Sequence, residues 1–222
     1  MNYTWDFAIL GKYSHLFWSG IGWTIAYTIG TVVLGTLLGL LVGILRLSSW
    51  RVVNWILIAY IEIFRCTPLL VQIIWFYYAF PVVIGINIPA HVAAVSVLTL
   101  YGAAFYAEIF RGGIESLERG QWDAAKALGL RPWPILRLVI LPQALKRMLP
   151  PYVNQSITQL KNTSLVSVIA VPDIVYNATL INADTYRPLE VYTVVALVYF
   201  AMLFPITLLA RQLERGMGYD KA

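Results

Sequence analysis

The chain has 222 residues, 59% of them hydrophobic and 12% charged, where an ordinary soluble domain carries about 25% charged residues. Tyr13 to Leu45, Cys66 to Ala107 and Val191 to Ala210 contain no Asp, Glu, Lys or Arg. About 20 apolar residues suffice to cross a bilayer, so these stretches exclude a soluble fold. The net charge of +5 does not signal nucleic acid, because no basic face recurs with aromatic interleaving, and the single cysteine, Cys66, excludes an internal disulfide.

In chain order, the N-terminal MNYTWDF is not basic, and the apolar segment after it is too long for a signal h-region. It is expected to remain as span 1, about Ile21 to Leu45, with Gly35, Gly39 and Gly43 spaced for close helix contact. Arg46 and Arg51 bracket a short loop. Span 2 is predicted over about Val53 to Phe80, kinked at Pro68. Pro81, Gly85, Asn87 and Pro89 make an uncharged turn, and span 3 follows over about Ala90 to Ile109. The longest charged stretch, Arg111 to Arg137, precedes span 4, about Gln143 to Lys161, with Pro150 and Pro151 inside. Ser164 to Val171 is too short to span and reads as re-entrant, ending at Pro172 before the polar Asp173, Asn177, Asn182 and Asp184. Span 5 is placed over about Val191 to Ala210. The expectation is one all-α membrane domain over residues 1–222, with five spans.

Basic residues concentrate on cytoplasmic loops. With the N-terminus outside and the C-terminus inside, the inner side takes Arg46, Arg51, Arg65, Arg111, Arg119, Lys126, Arg131, Arg137, Lys146, Arg147, Arg211, Arg215 and Lys221. The outer side takes only Lys12 and Arg187, and Lys161 lies at depth.

Enzymatic readings fail. No G-x-x-x-x-G-K-[ST] loop can cradle phosphates. His15 and His91 are remote from each other, and no Cys/His spacing suits a metal. No Gly-x-Ser-x-Gly elbow occurs.

The informative segment runs from Gly120 to Pro142. Asp123 is read in the first turn of a short helix, where negative charge is favoured. Ala124, Ala125 and Ala127 form a surface without bulk, Trp122 and Leu128 are apolar, and Gly129 followed by Pro132 is a stop signal. Such a helix is shaped to dock into a partner's groove. A helix lying on the lipid surface is the alternative.

This segment resembles the coupling-loop signature of ABC importer permeases: Glu-Ala-Ala, three residues, Gly, nine residues, Ile, one residue, Leu-Pro. Asp123-Ala124-Ala125, Gly129, Val139, Leu141 and Pro142 stand at those spacings, with Asp for Glu and Val for Ile. Phe64-Arg-Cys-Thr-Pro-Leu-Leu-Val-Gln72, Tyr106-Ala-Glu-Ile-Phe-Arg-Gly-Gly113 and Leu160-Lys-Asn-Thr-Ser-Leu165 resemble the polar amino acid uptake subfamily, with Cys66 for the usual Gly. The resemblance implies the type I importer permease fold, a coupling loop over about residues 112–142 and a second permease subunit, identical or homologous. It also implies two cytoplasmic ATP-binding subunits, which hold ATP and Mg while this chain binds no cofactor, and an extracytoplasmic solute-binding protein. The setting is membrane lipid, in the cytoplasmic membrane of a bacterium. A stand-alone secondary transporter or channel would show pseudo-symmetry between halves, and none is visible. A non-transporting scaffold is the third reading.

Candidates along the substrate pathway are Glu62, Arg65, Thr67, Gln72, Glu108 and the run Lys161, Asn162, Thr163 and Ser164. Glu62 with Arg65 and Glu108 with Arg111 are spaced for i,i+3 ion pairs. An ionisable residue at depth usually faces a cavity; the alternative for Lys161 is snorkelling to the interface. The resemblance puts an acid after this lysine in relatives that import cationic amino acids. Asn162 in its place points to a neutral or acidic substrate such as glutamine or glutamate.

Overall fold

The computed structural model describes residues 3–46 and 50–216, and within them the side chains of Ile9 and of residues 214–216 are not considered. Lys221, assigned above to the inner side, lies outside these residues. Every regular element among the described residues is helical. Among the described residues, three helices are long and apolar enough to cross a membrane, and counting each of two bent helix pairs as one span gives up to five.

A 3-10 turn, Ala8–Tyr13, leads into α1, Ser14–Leu45, so the first helix starts seven residues before the predicted span. Its threonines return hydroxyls to the helix, Thr28 to the Thr24 carbonyl and Thr31 to that of Tyr27, both at 2.7 Å. That is how a hydroxyl is satisfied where no water reaches it.

α2, Arg51–Cys66, and α3, Leu69–Ile84, meet at 109°. The expected kink is thus a break. Pro68 disfavours helical geometry at the residue before it, and Thr67 is extended (φ −106°, ψ 142°). The break strands the last carbonyls of α2, and the Gln72 amide supplies donors to Phe64 O at 3.0 Å and Thr67 O at 3.1 Å. α3 passes through a π-helical stretch, Trp75–Ala79, just before Pro81, and stops at Gly85 in the left-handed region (φ 71°). Pro81 therefore lies within the helix, not in the turn predicted to contain it.

α4, Ala90–Glu115, packs along α1 at the centre of the bundle. Gly39 is what allows the approach: a Cβ there would sit 2.7 Å from Tyr106 Cβ and 2.9 Å from the Ala103 carbonyl oxygen. The glycine stripe thus serves contact within the chain. α5, Arg119–Ala127, is the short charged helix.

α6, Pro132–Ile169, is far longer than the predicted fourth span. It contains a π-helical stretch, Ile135–Ile140, carries Pro150 and Pro151 inside, and tightens to 3-10 over Thr163–Ile169. The apolar piece read as re-entrant is therefore its last turns. After Ala170 in the left-handed region (φ 57°), the chain bends 46° into α7, Ile174–Thr185. Asp173 caps α7 by accepting from the Tyr176 N–H at 2.7 Å, so the polar stretch after Pro172 is helical. α8, Pro188–Gly216, completes the bundle and is mostly exposed on its apolar sides.

The bundle has two chemically distinct ends. One carries Arg46, Arg65, Arg111 and α5. The other carries Asp173, Asp184 and Glu190, with the N-terminal segment folded onto it. There the Tyr3 hydroxyl donates to Glu190, which raises the phenol above its ordinary pKa, and Arg187 donates to Glu190 at 3.1 Å and to the Thr4 carbonyl at 2.8 Å.

Candidate coupling surface and translocation face

α5 begins after Glu118, whose backbone is extended, so Asp123 stands in the second turn and not the first. Its carboxylate is 3.5 Å from the Lys126 ammonium, both exposed, an arrangement worth little. The helix ends in a Schellman motif: Gly129 N–H donates to Lys126 O at 2.9 Å and Leu130 N–H to Ala125 O at 3.2 Å. Gly129 has φ 76°, and that geometry is why a glycine stands there.

The two sides of α5 do different work. Ala125 is buried against Ile135, Ile140 and Ala144, with Trp122 and Leu130 partly buried in the same cluster. Ala124, Ala127 and Gly129 are exposed, and Leu128 is 81% exposed. Trp122 and Ala125, grouped by sequence with a docking surface, are thus anchors to the chain's own core. Polar ties add to the seat: Gln143 Nε2 donates to Gln121 Oε1 at 3.3 Å, and the Arg147 guanidinium donates to the Ser116 carbonyl. α5 is therefore mounted on the start of α6.

Along α6, Arg147, Asn154, Thr158 and Lys161 are exposed. Their spacings of seven, four and three put them on one helix face. A polar stripe at bilayer depth is not stable against lipid and faces water or another chain. Lys161 ends this stripe. Asn162 and Ser164 are half-buried, the latter donating to the Lys161 carbonyl at 2.7 Å. Thr163 is fully buried and donates to Leu160 O at 2.7 Å, so its side chain lies in the core.

The other pathway candidates divide between two places. Thr67 and Gln72 lie at the α2–α3 elbow, their side chains joined at 2.6 Å, and with Phe64 and Trp75 they line a cavity of 430 Å³. Elbow and outer α6 close on one apolar cluster, in which Leu69 and Ile73 pack with Val166 and Ile169. Glu62, Arg65 and Glu108 sit at the basic end. Glu108 gathers arginines from three helices: Arg46, Arg111 at 2.7 Å and Arg65 at 3.9 Å. Arg65 also lies 3.9 Å from Glu62 and stacks over Phe105. Both expected i,i+3 pairs are present, inside a cross-helix ionic cluster. Tyr101 interacts with Asn162, and Glu108 is seven residues further along α4, about 10 Å away along the axis. The two groups of candidates therefore lie at different depths.

Sequence reasoning missed Gln159. It is fully buried and donates to Leu98 O at 2.8 Å and to Thr31 Oγ1 at 3.2 Å, pinning α6 to α4 and α1. A polar residue inside a span was the available signal. Arg46, noted only as a loop residue, likewise turns out to bind Glu108.

Residues 32–219 match the family described as binding-protein-dependent transport system inner membrane component. The chain is 37% identical to a probable glutamine ABC transporter permease of Bacillus subtilis, over 92% of this chain and 97% of that one. It is 33% identical to an arginine transport system permease of the same organism, over 89% and 90%. A crystal structure of an amino acid ABC transporter with histidines contains a chain 39% identical, with a TM-score of 0.90 over 96% of this chain and 99% of that one. These matches overturn the reading of a stand-alone transporter or channel. The chain belongs to the binding-protein-dependent transport system inner membrane components, as a multi-pass permease subunit of the ABC importer class.

Proposed function

We propose that the chain forms part of the path by which a polar amino acid enters a bacterial cell, with its N-terminus outside and its C-terminus inside. Two cytoplasmic ATP-binding subunits hold ATP and Mg, a second permease, identical or similar, completes the path, and an extracytoplasmic solute-binding protein delivers the substrate. The observation that supports this most is the mounting of α5. Its small outward residues, Ala124, Ala127 and Gly129, with Leu128 beside them, offer a docking face, and its inward residues fix it to α6. A push on α5 is carried by the same helix that bears Lys161.

Glutamine and arginine appear in the names of the relatives above. Every α-amino acid has a carboxylate, for which the Lys161 ammonium is a suitable partner. Asn162 beside it adds no negative charge, which favours a neutral or acidic side chain such as that of glutamine or glutamate. The test is uptake of labelled glutamine, glutamate and arginine into vesicles holding the assembled complex. The expected result is ATP-dependent uptake of glutamine or glutamate ahead of arginine. Uptake at an unchanged rate without ATP or the ATP-binding subunits would refute the reading.

A further inference from the structure

Where α6 leaves α5, it exposes Leu138, Leu141 and Leu145 together with Arg137 and Lys146. From Ala124 to Pro172 the sequence has no Asp or Glu, so α6 itself offers these cations no acidic partner. Lys146 shares its helix face with Val153, Ile157 and Leu160, at i+7, i+11 and i+14. Those three residues line a groove of 280 Å³, closed by Ile29 and Val32 of α1 and Ile206 of α8. α8 runs antiparallel to α6, so the exposed Arg211, five residues beyond Ile206, lies toward the same basic end. At 3.6 residues per turn, the groove is centred about 140° around α6 from the Asn154–Thr158–Lys161 stripe. It therefore faces away from the translocation face.

An apolar groove at bilayer depth that opens onto cations at its basic end has the polarity of one phospholipid. We propose that this surface binds an anionic phospholipid, with its phosphate between Lys146 and Arg211 and an acyl chain against Val153 and Ile157. Charge complementarity selects an anionic headgroup over a zwitterionic one. The site rests on the placement of the basic end and not on the identity of the transported solute.

The experiment is native mass spectrometry of the full chain with its copurifying subunits, titrated with phosphatidylglycerol or phosphatidylcholine. Phosphatidylglycerol is expected to be retained preferentially. Lys146→Gln with Arg211→Gln should weaken its binding by about 30-fold, from about fivefold per basic residue. Ile157→Trp, which fills the groove and leaves the cations, should also release it, whereas Lys12→Gln at the other end should not. Equal retention of the two lipids, or phosphatidylglycerol binding unchanged by both sets of changes, overturns the proposal. So does loss of a copurifying subunit from the charge variant with lipid binding intact, which would assign the surface to a protein contact.

Discussion

Two side chains of α6, one buried and one exposed, show how little of a residue's role follows from its type. Gln159 is enclosed by α1, α4 and α6 and holds the Leu98 carbonyl and the Thr31 hydroxyl. Gln159→Ala removes both bonds and leaves a void. It should destabilise the purified protein by about 1–3 kcal/mol, read as a lower midpoint in thermal unfolding in detergent. An unchanged midpoint would show that the amide is dispensable. Lys161 has the opposite exposure and a different expectation. Lys161→Met should leave the yield of assembled complex intact and abolish most uptake, and Lys161→Arg should retain part of it, because the two cations differ in shape and hydration. Full uptake by the Met variant at normal yield would remove Lys161 from the pathway.

At the scale of elements, α5 is set by two local signals, the glycine stop and the inward Ala125. Gly129→Trp forces a bulky residue to φ 76°, a cost of about 1–3 kcal/mol. Ala124→Leu adds bulk to the outward face without that strain. Both variants should lower copurification of the ATP-binding subunits and ATP-driven uptake, and normal uptake by both would end the docking role. The stop at Gly129 was legible because a left-handed residue announces itself locally. The positions of the apolar spans were legible too, because hydropathy reports which residues avoid water. The division of α5 into an anchor side and an outward side was not, since Trp122 and Ala125 face partners on α6 ten or more residues away. Nor was the 109° elbow: Pro68 marks a discontinuity, and its angle depends on Gln72 reaching back across it. The three-arginine shell of Glu108 joins residues up to 62 apart in sequence, beyond any local pattern.

For the whole molecule, the exposed polar stripe of α6 sets a requirement. Asn154 and Thr158 cannot face acyl chains stably, so they face water or another chain. In a Cys66→Ser background, Asn154→Cys and Thr158→Cys should react with a water-soluble maleimide in intact vesicles, while Ile29→Cys in the apolar groove should stay protected. Protection of all three would place the stripe in a dry contact, and reaction of all three would show that the groove is flooded.

The length of α6 has a kinetic consequence. One nearly continuous helix begins beside α5 and ends past Lys161, and Gln159 pins it near the middle of the bundle. A strut held about three quarters along its length behaves as a lever with unequal arms: displacement at the α5 tip is accompanied by a smaller displacement at the other. A state open at both faces would require the strut to fold, and its two adjacent prolines, 150 and 151, lie between the pin and the basic end. Leak without turnover is thereby confined to whatever bending those two residues permit.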